Sequence, residues 1–306
     1  MTRLTTRTLY PFEWLVLGYS TLMITLLAIF GRPLTYHADE FGFYVGVTLL
    51  TLAMALTVDD KSGRWRALIR LGYLAVLFTF FYRNTGGLMD LLYDGFLDDQ
   101  VVRFEAAVFG TNPTIYFDQN LLGTWINEIM SFSYFSYYFM IPVFLVAVFL
   151  RGDYEVLKQS LTAISLTFFA SYLLFILYPV EGPRWYFAEE YLNSIEGPLF
   201  RPLVEYVINN GAVRGGAMPS SHTGVAIVIL MFCFRFYRRA AWWMLPLVVG
   251  LAAGTVWGRF HYVSDVIVGA AIAIVATVLA RRIHPIGRHD VQGLNEVAVE
   301  GSTHVS

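Results

Sequence analysis

Eight apolar runs, each close to the length needed to cross a bilayer, leave this chain few folds to choose from. They fall at about 13–30, 41–58, 67–82, 132–150, 158–178, 222–237, 241–257 and 263–280. A membrane-spanning helix needs roughly 17–25 apolar residues, and the third and sixth runs fall just short of that. Only helices or closed barrels satisfy every backbone group in lipid. Barrel strands would alternate apolar with polar residues, and these runs do not. The expectation is an all-α, polytopic transmembrane helical bundle of about eight spans. Composition agrees: the chain is 57% apolar and only 14% charged, against about 25% charge in a soluble domain.

Three parts are expected: two N-terminal transmembrane helices over 1–66, a membrane core over 67–282, and a cytoplasmic tail over 283–306 without apolar pattern, read as disordered. Arg3 and Arg7 precede the first run. A signal peptide would look similar, but no small-residue cleavage site follows, so an uncleaved first span is expected. The single Cys233 lies within a span and cannot form an intramolecular disulfide. There is no internal repeat. The net charge of −2 says little, and nothing points to a nucleic-acid partner.

The distribution of charge says more. With a cytoplasmic N-terminus, the inner segments hold fourteen of the 21 Lys and Arg residues, Arg3, Arg7 and Arg288 among them; seven, including Arg32, fall in the long outer segments. The positive-inside rule therefore orients the chain. Arg184, His222 and His261 then share the extracytoplasmic side. His222 and His261 are 39 residues apart, roughly 58 Å of helix, which two crossings of a ~30 Å core consume. The chain descends and returns, and the two histidines meet at one surface. The Gly- and Pro-rich stretch 179–221 reads as a loop on that side. The outer segment 83–131 carries Asp90, Asp94, Asp98 and Asp99. Part of it is expected to be an amphipathic helix lying in the interface.

Met218-Pro219-Ser220-Ser221-His222 and Arg259-Phe260-His261-Tyr262-Val263-Ser264-Asp265 each open an apolar run. They place titratable groups at the mouth of a span, where such groups mark function. His261 and Asp265 are four apart and are expected to share a helix face. Ser220 can cap the sixth span, whose free N–H groups suit phosphate oxygens, with Ser221 beside it. Arg184 and Arg259 offer planar donors to the same charge. His261 can attack phosphorus if Asp265 fixes its tautomer, and His222 can give a proton to the leaving oxygen. Each residue alone has a plainer explanation. A histidine at an interface can be a solvated group, an i,i+4 His–Asp pair a metal site, Arg259 a snorkelling anchor and Ser220 only a cap. The aromatic run at 132–139 reads as lipid or helix packing. Joint placement on one side favours the site.

Pro219-Ser220-Ser221-His222 and His261-Tyr262-x-x-Asp265 resemble the second and third signatures of the type 2 phosphatidic acid phosphatase superfamily, and Gly182-Pro183-Arg184 what remains of the first. Phe109-Gly110-Thr111-Asn112-Pro113-Thr114 with the aromatic run after it, and Tyr178-Pro179 ahead of Pro183-Arg184, resemble the inositol phosphorylceramide synthase-like (inositolphosphotransferase) branch. The resemblance covers about 100–282. It implies a six-helix phosphatase-type core over 67–282. It also implies His261 as a nucleophile forming a phosphohistidine, Asp265 as its orienter, His222 as general acid and Arg184 on the phosphate, with Ser220, Ser221 and Arg259 as further phosphate contacts. No metal or other cofactor is implied. The chain departs from the pattern in four places: the 179–221 loop has no Lys, its pair runs Pro183-Arg184 where the first signature has Arg-Pro, Thr255 stands where the third signature has Arg, with Arg259 as its candidate substitute, and Ser221 replaces a Gly. The implied activity is an integral membrane phosphoesterase or phosphotransferase on a phospholipid or lipid phosphate, with a lipid hydroxyl as a second possible acceptor. The expected site is extracytoplasmic and the expected location the plasma or inner membrane. Simple hydrolysis of a lipid phosphate is one alternative. A non-catalytic lipid-binding or transport protein is the other, though there are no repeats and no mid-membrane charges to support transport.

Overall fold

A computed structural model describes residues 9–31 and 36–286. The expectations for Arg3, Arg7, Arg32, Arg288 and the tail beyond residue 286 lie outside the described residues. The chain is a helical bundle: α1 (Pro11–Phe30), α2 (Ala38–Thr57), α3 (Arg64–Thr85), α4 (Asp98–Phe109), α5 (Pro113–Asn120), α6 (Thr124–Arg151), α7 (Tyr154–Leu177), α8 (Pro183–Tyr186), α9 (Phe200–Gly211), α10 (Ser221–Phe236), α11 (Arg238–Trp257) and α12 (Val263–Ile283). Among the described residues seven helices are long and apolar enough to cross a membrane. The sixth expected span is the exception: α10 has 16 residues, about 24 Å of rise. The third run gains polar turns at both ends and reaches full length as Arg64–Leu88.

Long helices joined by short turns make the bundle. Gly152, at φ 80°, closes α6 in a left-handed cap, and α7 starts two residues later. At 28 residues α6 rises about 42 Å and overshoots a ~30 Å core. Its first turns therefore project at one end of the bundle. There Glu128 accepts the N–H groups of Phe200 (2.8 Å) and Arg201 (3.0 Å), pinning the start of α9. Asn127 accepts from the Trp257 indole at 2.9 Å and donates to the Glu196 carbonyl at 2.9 Å.

The most enclosed helix is α7, which packs against α1, α3, α10 and α12. Its buried face carries small hydroxyl residues, and Thr162, Thr167 and Ser171 each return their O–H to the carbonyl four residues back. That arrangement satisfies polar groups within the helix while allowing the close helix approach typical of membrane bundles. The approach is tightest where α12 meets the start of α10. A Cβ on Gly269 would lie 2.4 Å from the Ser220 carbonyl oxygen, so the register of the two site-bearing helices requires glycine.

The 83–131 segment contains an amphipathic helix, α4, whose polar face is turned toward the protein. In α4 the acidic residues Asp98 and Glu105 are buried with Val101, while Phe104, Val108 and Phe109 face outward. The apolar face is turned away from the protein because the buried carboxylates are needed inside, where they cap neighbouring backbone.

Candidate functional site

Backbone caps at the projecting end build the site. Helix α11 ends in a Schellman-type turn: Arg259 N–H reaches the Val256 carbonyl (3.0 Å) and Phe260 N–H reaches Thr255 (2.9 Å). The left-handed position, usually glycine, is Arg259 at φ 66°, a conformation a side chain adopts at a cost. The turn throws Phe260 and His261 back over the bundle, and His261 N–H also bonds the Thr255 carbonyl, at 3.1 Å. Thr255, standing where the third signature has Arg, thus serves through its backbone.

His261 lies two residues before α12, so it does not share a helix face with Asp265; the capping turn brings them together. The His261 Nδ1 is 2.8 Å from the Ala217 carbonyl oxygen and 3.4 Å from Asp265 Oδ2. A carbonyl can only accept, so Nδ1 carries the proton and Nε2 presents its lone pair. The backbone of Ala217 is the nearer orienter, a partner that sequence spacing could not reveal. Asp265 is buried. Its Oδ2 accepts from the Tyr262 N–H at 2.8 Å, and its Oδ1 has no partner among the described residues.

Ser220 is the N-cap of α10, accepting from the Thr223 N–H at a long 3.4 Å, and its own N–H donates to the Asp265 carbonyl at 2.9 Å. The cap therefore ties the second signature to the third. Ser221 opens α10 and is buried. The first N–H groups of a helix lack intrahelical acceptors, which leaves this turn suited to an anion. The His222 ring sits 5.9 Å from the His261 ring, against Tyr134 (5.6 Å) and Tyr137 (4.5 Å) of α6, and its Nδ1 is buried without a partner among the described residues.

Arg184 and Arg259 come to the same end, each already engaged. Arg184 donates to both oxygens of Glu205 (3.1 and 2.7 Å) and to Asn209 (3.0 Å). Arg259 donates to Asp118 (2.6 Å) and to the Asn193 carbonyl (2.7 Å), stacked 3.8 Å over Tyr191. A third guanidinium, Arg201, also bonds Glu205, and both Arg184 and Arg201 face the Phe260 ring, at 6.0 and 5.6 Å. Burial works to raise the Glu205 pKa, but Arg184 and Arg201 outweigh it and hold the carboxyl below its ordinary value. Burial lowers the pKa of Arg201 and Arg259 against their carboxylate and tyrosine partners. Sequence reading missed Arg201, Glu205 and Asn209. Their spacing of four was visible, but which face they would share a site with depends on how α9 lies.

Also missed were the two acids of α4. Asp98 Oδ1 accepts from Gly182 N–H (2.9 Å) and the Tyr262 hydroxyl (2.9 Å), while Oδ2 accepts from Glu181 N–H (2.7 Å). One carboxylate thus joins the loop carrying Arg184 to the turn carrying His261. Gly182 sits at φ 99°, and a Cβ there would lie 3.1 Å from the Phe260 carbonyl. Glu105 receives the N–H and hydroxyl of Ser264 at 2.7 and 2.9 Å, anchoring the start of α12; burial raises its pKa against those bonds. Among the described residues no three His, Cys, Asp or Glu side chains converge as a metal-ligand set.

Nothing among curated proteins or among solved structures matches this chain. A family model, the PAP2 superfamily, matches residues 99–279. The match runs from the first turn of α4 into the last turns of α12, leaving α1–α3 outside it. The match covers more than half of the chain and encloses both histidines, Asp265 and the three arginines; this chain is a multi-pass membrane protein of the PAP2 superfamily, whose members are generally phosphatases.

Proposed function

We propose that this protein transfers the phosphoryl group of a membrane lipid through a phosphohistidine on His261, as an inositolphosphotransferase-like phosphotransferase. The observation that carries the reading is the His261 ring: its Nδ1 is committed to the Ala217 carbonyl at 2.8 Å, beside a buried Asp265, and His222 stands one ring away. In the first step Nε2 of His261 attacks phosphorus, the P–O ester bond breaks, and His222 gives its proton to the departing oxygen. Asp265 and the Ala217 carbonyl balance the positive charge that develops on His261. In the second step a hydroxyl loses its proton to His222 and attacks phosphorus as the N–P bond breaks. Arg184, Arg259 and the α10 N-terminus, with Ser220 and Ser221, neutralise the phosphoryl oxygens. Tyr134 and Tyr137 pack against His222 and Phe260 packs against Tyr134, aromatic surroundings that support exclusion of water in favour of a lipid hydroxyl. We take residues 67–282 as the catalytic core and α1–α2 as accessory to it.

The test is the full chain in nanodiscs, incubated with phosphatidic acid, phosphatidylinositol and phosphatidylglycerol, with and without ceramide or diacylglycerol, with head group and phosphate followed. Acceptor-dependent product supports transfer. Free phosphate that no acceptor suppresses makes the protein a hydrolase, and no product from any lipid removes the reading. The proposed extracytoplasmic site is tested by cysteine labelling in a Cys233→Ser background. Leu192→Cys, at an exposed position, should react with an impermeant reagent on intact cells and Ser62→Cys only after permeabilisation; the reverse pattern places the site in the cytoplasm.

A further inference from the structure

Three guanidinium groups meet at the mouth of the site, and two carboxylates of the protein are bonded to them: Glu205 to Arg184 and Arg201, Asp118 to Arg259. The cluster therefore carries one net positive charge instead of three. Glu205 is fixed there, because the N–H groups of Phe200 and Arg201 at the start of α9 are held by Glu128 at 2.8 and 3.0 Å. Asn209, one turn on, adds a further contact to Arg184 at 3.0 Å. Donors remain for a ligand. Arg184 makes three hydrogen bonds to side chains of α9 out of the five N–H groups of a guanidinium, and Nε of the buried Arg201 has no partner among the described residues. The cluster reaches the reacting groups through two packed rings, since Phe260 lies 4.7 Å from Tyr134 and Tyr134 lies 5.6 Å from His222.

We propose that Glu205 is a specificity-determining residue, setting the charge of the clamp so that a monoanionic phosphodiester lipid is preferred to a dianionic phosphomonoester. This rests on the phosphoryl-transfer reading given above. A carboxylate fixed beside the ligand repels a dianion about twice as strongly as a monoanion. It therefore changes the ratio between the two substrate classes, which a purely supporting role for α9 would leave alone.

The experiment compares phosphatidylglycerol with phosphatidic acid of matched chains at pH 8, measuring kcat/KM for loss of each from nanodiscs. Glu205→Gln should move the diester-to-monoester ratio toward the monoester by about tenfold. Glu205→Asp should stay near the wild-type ratio. Asn209→Asp, which adds a carboxylate on the same helix face, should move the ratio the other way and keeps the idea open to refutation if the Gln variant does not fold. A ratio that stays constant across the charge series, or moves toward the diester in Glu205→Gln, overturns the proposal. Thermal-shift binding of inorganic phosphate against dimethyl phosphate separates this from the functional reading. Wild-type protein that turns over neither lipid, yet favours dimethyl phosphate in a Glu205-dependent way, would sink the phosphotransferase reading and leave this one standing.

Discussion

The two ends of the bundle use the same ingredients, cations paired with buried carboxylates, to opposite effect. At the end away from the site, Arg70 bonds Glu13 at 3.0 Å and lies 3.5 Å from Asp60; Lys158 bridges Asp60 (3.2 Å) and Glu155 (3.1 Å), and His284 closes the chain on Glu155 at 2.9 Å. The Tyr10 hydroxyl joins Asp60 at 2.8 Å, and its ring lies under both cations. That network ties α1, α3, α7 and the end of α12 together. At the site end the pairing is incomplete. Four buried Arg, His or carboxylate atoms lack a partner among the described residues, and three of them, Arg201 Nε, His222 Nδ1 and Asp265 Oδ1, are there; the fourth is Arg281 Nε. Unsatisfied buried polar atoms are costly and call for an explanation. A closed network stabilises a fold, whereas unpaired polar atoms gathered at one end are what a charged ligand can complete.

The comparison is sharpened first by Asp265→Asn. The amide fits the same space but can no longer balance a charged His261, and rate should fall by roughly 10³–10⁴ with the unfolding temperature nearly unchanged. A near-normal turnover number would reduce Asp265 to a cap on Tyr262. Next, His222→Ala should slow release of an alkyl alcohol by about 10²–10⁴ but slow an aryl phosphate ester far less, because a stable leaving anion needs no proton. Equal losses on both esters would make His222 a phosphate contact. The smallest effect on chemistry is expected at the other end. Arg70→Met removes the cation paired with the buried Glu13 carboxylate, leaving Asp60 to Lys158 and Tyr10, and should lower stability by about 3–5 kcal/mol, read by thermal unfolding, while turnover per folded molecule stays within about twofold. A loss of turnover without loss of stability would show that the two ends are coupled.

Much of the architecture was legible because lipid allows few solutions. Apolar runs located the seven spanning helices and the shorter α10, which begins at Ser221, one residue before the expected run. The motif histidines were legible because each opens an apolar run. What stayed hidden depends on geometry that neighbouring residues cannot encode. The His261–Asp265 pair looked like one helix face, yet it arises from a capping turn that a left-handed Arg259 makes possible. The Ala217 carbonyl is 44 residues from the ring it orients. The inward polar face of α4 follows from Asp98 and Glu105 capping backbone 83 to 159 residues away. Arg201 and Glu205 join the site only because Glu128 pins α9 beside it.

The central claim is that phosphorus becomes bonded to His261. It is tested most directly by quenching the full-length protein within milliseconds of mixing with lipid carrying ³²P in its phosphate, then digesting and mapping the label. The account predicts an acid-labile, alkali-stable adduct on the peptide containing His261, absent from His261→Ala and accumulating in His222→Ala when an aryl ester is the donor. Turnover with no protein-bound label at any quench time, or label that persists in His261→Ala, would contradict it.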